Sequence, residues 1–476
     1  MASGDLCALS LDAVAGLIAR REVSPVEVTE AALGRTARLD PRLNAFITVT
    51  ADAARAAARA AEDEIGRGRY RGPLHGVPLS LKDLIYTRGV RTTAGSRILA
   101  DFVPDVDATV ARRLAAAGAI TVGKANMLEF AYGEVHPDYG PSRNPWNVAY
   151  GTSGSSSGSA AAVAAGLGYG SLGSDTGGSI RLPAAYCGIV GLKPTYGLVS
   201  RAGVVPLAWS LDHVGPLTRT VRDCALLLEA IAGHDPADPT SARRSARPYA
   251  ARLAEVPTDL VVGVVEAEPD DGVTPEVRGG VEAAAAALGD LGLATRPVAL
   301  PHPEQAVRAL LALLYAEASA YHLPWLRERP DDYGANTRTR LELGALLPAG
   351  VALRAARARR VIVDAYRALF REVDLLLSPV GPTASYRLDD PPAEPVGAAG
   401  NGGDRMGPLI RFTGPFDLTG QPAISIPCGL TAAGLPIGVQ LAGRPFAEEP
   451  LLRVAHALER RLAPRLPRPA GDALAV

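Results

Sequence analysis

Residues 151–181 read GTSGSSSGSAAAVAAGLGYGSLGSDTGGSIR, two clusters of Ser and Gly on either side of a small apolar segment. No charged residue occurs from Asn144 through Ser174. An uncharged gap of that length invites comparison with a membrane span, but Gly and Ser interrupt it and no run of large apolar residues is sustained. The stretch reads instead as buried backbone around a site. In the second cluster, Asp175-Thr176-Gly177-Gly178-Ser179 followed by Ile180-Arg181, a tight turn brings successive N–H groups toward one point, and the glycines let the backbone approach a ligand. A serine that closes such a nest is a nucleophile candidate. The alternative is a Gly/Ser loop that only turns the chain.

Taken together, the clusters resemble those of the amidase signature family, in which GGSSGGSAAA is followed by a segment ending DTGGSIRxPA. Here Ser153-Gly154-Ser155-Ser156-Ser157-Gly158-Ser159 and three alanines stand for the first motif, and Asp175 to Ala184 for the second. Ser153 and Ser157 replace family glycines with another small residue. The resemblance implies that Ser179 is the nucleophile and that Ser155, 179 − 155 = 24 positions earlier, is the serine that follows a cis peptide bond. It also asks for a lysine upstream in a GVPxxxKD context. Gly76-Val77-Pro78-Leu79-Ser80-Leu81-Lys82-Asp83 meets it, so Lys82 completes a Ser-cisSer-Lys triad. By the same resemblance the N–H groups of Thr176, Gly177, Gly178 and Ser179 form an oxyanion hole, and Ser156, Asp175 and Arg181 support the site. Tyr132, Gly133 and Thr152 are the expected substrate-pocket residues.

The chemistry explains these residue types. A serine hydroxyl attacks a carbonyl only when a base takes its proton, and Ser-Lys pairs are a variant of the serine triad. Lysine serves as that base only when neutral. Its ordinary value near ~10.4 must therefore fall by roughly 3 through burial, which uncharged surroundings favour. Ser155 would relay the proton between Lys82 and Ser179. Each oxyanion donor is typically worth about 2.7–4 kcal/mol in the transition state.

At 476 residues, with 47% hydrophobic and 21% charged residues, the chain is globular. One α/β domain is expected, with a helical segment at 1–70, the signature core at 71–235, a variable region at about 240–405 and the rest of the core at 406–476. The formal net charge of −1 gives no electrostatic reason to expect nucleic acid or an anionic membrane, so the expected partner is a small-molecule amide or carbamate, bound by a monomer or homodimer. Cys7, Cys187, Cys224 and Cys428 are far apart, which indicates neither a disulfide framework nor a zinc knuckle. No basic n-region precedes an apolar core at the N-terminus, so a cytoplasmic location is expected.

Along the chain, Ser24-Pro25-Val26-Glu27 predicts a capping box, and the alanine-rich run from Asp52 to Glu64 a helix that stops at Gly66. Val77 to Leu81 reads as a strand leading to Lys82. Asp107 is expected to cap a helix ending at Gly118, Ala119 to Val122 to be a strand, and Ser159 to Ala165 a helix before the strand-like Leu167 to Leu172. Strands are also expected at Asp259–Glu266 and Leu293–Leu300, and helices at Pro275–Leu291 and Pro303–Tyr321. The C-terminal strands 423–427 and 436–441 and a helix from about Glu448 return to the family pattern. This alternation predicts the amidase signature fold, a large mixed β-sheet covered by helices on both faces. Residues 322–350 carry no familiar pattern. The polar, Arg- and Pro-rich 235–256 reads as a surface connection, and the Pro/Gly-rich Asp389 to Gly407 as a mobile loop near the substrate entrance.

Three motifs mislead. Gly118 to Lys124 nearly spells a phosphate-binding loop, but Ala125 stands where a magnesium-binding hydroxyl is required. Gly154-Ser155-Ser156-Ser157-Gly158 matches a G-x-S-x-G elbow, which would make Ser156 the nucleophile of an α/β-hydrolase, yet a turn rather than a strand precedes it. The seven histidines form no i, i+4 pair, so no metal site is expected, and His213 reads as a packed structural residue. The expected activity is hydrolysis of small neutral amides, anilides or carbamates, with esters also within reach, through a serine acyl-enzyme and without a cofactor. The alternative that shares the signature is the amidase-type chain of a glutamine-dependent tRNA amidotransferase.

Overall fold

In the computed structural model, which describes residues 5–266, 272–389, 406–462 and 469, the chain opens with three helices. These are α1 (Leu11–Ala19), α2 (Pro25–Leu43) and α3 (Ala51–Gly66), with strand β1 (Phe46–Val49) between the last two. The predicted capping box forms: the Glu27 N–H donates to Ser24 Oγ at 3.1 Å and the Ser24 N–H to the Glu27 carboxylate at 2.8 Å. β2 (Pro78–Lys82) follows, then α4 (Thr109–Ala116) and β3 (Ile120–Ala125). Asp107 does not cap α4 as expected. Its carboxylate accepts the Arg88 N–H at 2.7 Å, and α4 opens at Ala108 without a side-chain cap.

The signature then folds as a hairpin, β4 (Arg143–Asn144) with β5 (Asn147–Gly151), helix α5 (Ser157–Ala165), strand β6 (Gly170–Asp175) and helix α6 (Arg181–Cys187). β6 starts three residues later than the apolar pattern indicates. Gly166 is left-handed and ends α5, and the Leu167 N–H turns back to the Ala162 carbonyl, so Leu167 belongs to the helix terminus. β7 (Val190–Lys193), β8 (His213–Thr218), α7 (Val221–Ile231), β9 (Val261–Val265), α8 (Pro275–Asp290) and β10 (Ala294–Val298) come next. The unfamiliar region is helical: α9 (Pro303–Glu328), α10 (Ala335–Ala345) and α11 (Ala349–Glu372) leave the sheet after β10 and return at β11 (Leu375–Pro379). The expected loop from Asp389 to Gly407 lies mostly outside the described residues. The short helices α12 (Met406–Leu409) and α13 (Gly414–Thr419) precede β12 (Ala423–Leu430), β13 (Pro436–Gly443) and α14 (Glu448–Leu462).

Eleven strands form one mixed sheet in the order β1-β3-β2-β6-β8-β7-β12-β13-β11-β9-β10. β2 runs parallel to both β3 and β6, whereas β6 and β8 are antiparallel. One layer of helices, α5 and α6, packs on the central strands, and another, α7, α8 and α14, is held together on strands of the same sheet. A contiguous apolar core runs from Leu11 to Leu462. No described helix is long and apolar enough to cross a membrane. Lys82 and Asp175 end neighbouring parallel strands, which brings their following loops together at one edge of the sheet.

Candidate active site

Lys82 is completely buried at the end of β2. Its ammonium donates to Ser155 Oγ at 2.7 Å and to Ser174 Oγ at 2.9 Å, both neutral hydroxyls. Burial pulls its pKa down to about 7 against the more distant charges of Asp175 and Asp212. Lys124, on the next strand, is equally buried but serves the scaffold. It pairs with Asp83 at 3.5 Å and donates to the Ile85 carbonyl and Thr92 Oγ1, so the near-match to a phosphate loop is a strand with an internal ion pair.

Ser155 follows a cis peptide bond from Gly154, and Ser153 just before them is left-handed. A Cβ on Gly154 would lie 2.5 Å from the Leu128 side chain, so no larger residue fits there without displacing Leu128. Ser156 is turned away from the site. Its hydroxyl donates to the Ser174 carbonyl at 3.2 Å and accepts the Ser174 N–H at 3.3 Å, which ties the start of α5 to β6 and occupies the oxygen that an α/β-hydrolase elbow would expose.

The nest after β6 is built around the Asp175 carboxylate. It accepts the N–H groups of Gly178 at 2.6 Å and Ile180 at 3.1 Å, and it receives Arg181 Nε and Nη2 at 3.0 Å each. Burial opposes the charge of Asp175, but Arg181 overrides it and holds the carboxyl well below the usual range. Arg181, also buried, reaches the Thr413 carbonyl, Gln440 Oε1 and Asp417. Asp417 goes the other way: burial, and then the charge of Asp175, push its pKa well up. His213 packs 3.4 Å from Asp417 and against Tyr196, and burial keeps it neutral, in line with a packed structural residue.

Because Asp175 takes the Gly178 N–H, that group is unavailable to an oxyanion, unlike the expectation. The N–H groups of Thr176, Gly177 and Ser179 have no acceptor among the described residues. Gly177 and Ser179 are also the half-buried positions in an otherwise buried run. Thr413 Oγ1 donates to the Gly177 carbonyl at 2.6 Å, and Thr176 Oγ1 to Asp212 at 2.7 Å, so both peptides of the nest are tethered. A Cβ on left-handed Gly178 would lie 2.5 Å from Thr413 Oγ1.

Of the expected pocket residues, Thr152 is buried with its hydroxyl on the Ser153 carbonyl, and left-handed Gly133 packs on Thr337. Tyr132 is the one that meets a candidate ligand group. The Arg340 guanidinium lies 5.5 Å from its ring centroid, and Tyr315 of α9 meets it edge-on. Arg340 also touches Met406, and the chain from Met406 brings Ile410, with Leu310 of α9, against Gly177. Ser174, Gln440 and Arg340 escape a reading of the sequence. Ser174 lies within the uncharged stretch, whereas Arg340 sits in a region without any motif. Among the described residues no three His, Cys, Asp or Glu side chains gather as a metal would require.

A model of the amidase family matches residues 27–452. The chain belongs to the amidase signature family. It is 44% identical to the A subunit of the Glutamyl-tRNA(Gln) amidotransferase of Anaeromyxobacter sp. (strain K), with 98% of each chain covered. Among solved structures it is 37% identical, at a TM-score of 0.90 and with 95% of this chain and 98% of the other covered, to a chain from a vestigial protein complex connected with the origins of an s-triazine catabolic enzyme. The corresponding amidotransferase chain of Thermotoga maritima superposes at a TM-score of 0.82, with 33% identity and 98% and 99% of the two chains covered.

These findings correct the expectation about partners. Near-neutral charge is the ground for expecting no nucleic acid, and a monomer or homodimer is expected, yet relatives similar over their whole length are subunits of an enzyme named for its tRNA substrate. Net charge describes the whole surface of one chain and not the assembly it joins, where another chain can carry the basic surface.

Proposed function

We propose that this amidase signature enzyme is the glutamine amidohydrolase chain of a tRNA amidotransferase, which releases ammonia from the glutamine side chain for use by a partner assembly acting on Glu-tRNA(Gln). The observation that carries the glutamine reading is Arg340. It stands over Tyr132 and against Met406, and we assign it to the α-carboxylate of a glutamine substrate, in keeping with the 44% identity over 98% of both chains to an amidotransferase A subunit. In the chemical step Ser179 Oγ attacks the amide carbon and the N–H groups of Gly177 and Ser179 hold the oxyanion. The serine proton passes through Ser155 and Lys82 to the departing nitrogen, and water then resolves the acyl-enzyme.

The second reading, a free-standing hydrolase of small neutral amides, anilides or carbamates, is favoured by the apolar wall of Ile410 and Leu310 beside Gly177. Ammonia release from glutamine, run beside acetamide and acetanilide with and without co-expressed partner chains, separates the two. Glutamine turnover that Arg340→Ala weakens through KM supports the first. Brisk acetamide and acetanilide cleavage by the lone chain, with glutamine untouched in every combination, overturns it.

A further inference from the structure

Residues 128–133 form a strap between the Ser155 loop and helix α10. At one end the Leu128 N–H donates to the Ser155 carbonyl at 3.2 Å, and the Leu128 side chain fills the space that a Cβ on Gly154 would need. At the other, Gly133 lies against Asn336 and Thr337 in the first turn of α10, and Tyr132 lies under Arg340. Thr337 and Arg340 are three positions apart, so one face of α10 runs along the strap. Between these ends Phe130 and Ala131 are left-handed, at φ 50° and 59°. Residues other than glycine keep that conformation only where their surroundings over-determine it. Here the Phe130 N–H donates to the Ala94 carbonyl at 2.8 Å, and its ring packs on His322 of α9 with centroids 4.3 Å apart.

Glu129 fastens the strap to α10. It is fully buried, and its two oxygens face different elements. Oε1 accepts the Ser96 hydroxyl at 2.6 Å and Oε2 the Gly334 N–H at 3.0 Å, with the Thr337 hydroxyl a further partner. α10 needs an acceptor from outside itself. It opens at Gly334, which has no side chain to cap it, no acidic residue occupies its first turn, and its 11 residues are marginal as an isolated helix. The Glu129 carboxyl supplies the missing acceptor from the strap. The same clasp therefore fixes the start of the helix whose sixth residue, Arg340, stands over Tyr132.

We infer that Glu129 is a positioning residue for substrate selection: through the strap it holds α10, and with it Arg340, in register with Ser155, so that an acyl group anchored at Arg340 meets the candidate relay at a set distance. The inference rests on the proposed assignment of Arg340 to a substrate carboxylate, but not on glutamine itself. Kinetics on glutamine and succinamate, which carry a carboxylate, beside acetamide, which does not, test it. Glu129→Ala should lower the ratio of kcat/KM for the carboxylate-bearing amide to that for acetamide by about tenfold or more, chiefly through KM, as misplacement of an anchoring group does. Glu129→Gln should bring the ratio back to within about threefold of wild type, because its amide oxygen can take the Gly334 N–H while the Ser96 hydroxyl, which also accepts, receives the NH2. In a double-mutant cycle Glu129→Ala should move the ratio little once Arg340 is already alanine, whereas a residue that only stabilises the fold would act alike in both backgrounds. Glu129→Asp, one methylene short of spanning Ser96 and Gly334, takes its place if the alanine variant does not fold. Turnover of succinamate but not of glutamine sinks the glutaminase reading and leaves the clasp standing. Turnover of acetamide alone, or an unchanged ratio in Arg340→Ala, removes the carboxylate assignment and this inference with it. A ratio lowered by Arg340→Ala but unmoved by Glu129→Ala, or losses that multiply independently in the double variant, overturns the clasp alone.

Discussion

Placing a carboxylate beside Lys82 tests whether this residue acts as a neutral base. Bringing its pKa from 10.5 to about 7 corresponds to ~5 kcal/mol of lost preference for the charged form, sustained because among the described residues Nζ meets only the hydroxyls of Ser155 and Ser174. A neutral base makes kcat/KM rise with pH through the inflection and level off above it, so about one-tenth of the plateau should remain at pH 6 and about nine-tenths be reached at pH 8. Ser174→Asp replaces an oxygen 2.9 Å from Nζ with a charged one. An opposite charge at that distance raises a lysine pKa by roughly 1–3, and a rise of about 2 cuts the neutral fraction at pH 7 from about one-half to about one-hundredth. The variant should lose about fiftyfold in kcat/KM at pH 7 and regain most of it near pH 10. The assay is the pH profile of ammonia or chromogenic aniline release, with circular dichroism confirming the fold at each pH. A wild-type profile flat from pH 6 to 8, or a loss in Ser174→Asp that is the same at every pH, would refute a neutral Lys82 as the base.

Ser179→Ala should abolish turnover and labelling by a serine-directed phosphonate with little change in the thermal midpoint, because among the described residues its hydroxyl makes no hydrogen bond and the position is half-buried. Ser156→Ala should do the reverse, costing about 1–3 kcal/mol of stability as the buried Ser174 N–H and carbonyl lose their partner, while labelling stays on Ser179. Asp175→Asn leaves Arg181 with one of its two carboxylates and weakens the hold on Gly178, so chemical denaturation should report a loss of about 3–5 kcal/mol. Arg340→Ala should raise KM about 10–100-fold for a carboxylate-bearing amide, the equivalent of a charge-assisted hydrogen-bonded contact, and far less for acetamide.

The three proposed triad residues can be picked out of the sequence because the features around them are local. Gly154 is required by contact with Leu128, Gly178 by left-handed backbone under Thr413, and Lys82 by the end of a short apolar strand, and each leaves a mark within a few residues. What anchors the nest is not local. Arg181 meets Asp417 and Gln440 across 236 and 259 positions of chain, and a lone Asp or Gln in an apolar stretch gives no sign that it faces a buried guanidinium. The over-full oxyanion hole was an error of the same kind, since the spacing in DTGGS does not show that Asp175 folds back onto Gly178. Asp107 misled because its N-cap preference was met by the Arg88 N–H instead. The 322–350 region was opaque because α10 has no segregated apolar face to read: it lies among other helices and keeps Leu343 and Leu346 exposed.

The helical excursion between β10 and β11 leaves and re-enters the sheet on strands that flank β9 and run parallel to it, so its two ends lie about 10 Å apart across the sheet and one strand length apart along it. Such a segment behaves as a detachable module. Lengthening or exchanging it costs little in chain entropy, about 0.6 kcal/mol for each doubling of a flexible connection. It contributes Leu310, Tyr315 and Arg340, the residues proposed to meet the acyl group, while the candidate triad Lys82, Ser155 and Ser179 belongs with β2 and β6 on the other half of the same sheet. If the proposed site is right, a lineage can therefore trade one substrate for another by rewriting this single insert and leave the candidate triad untouched.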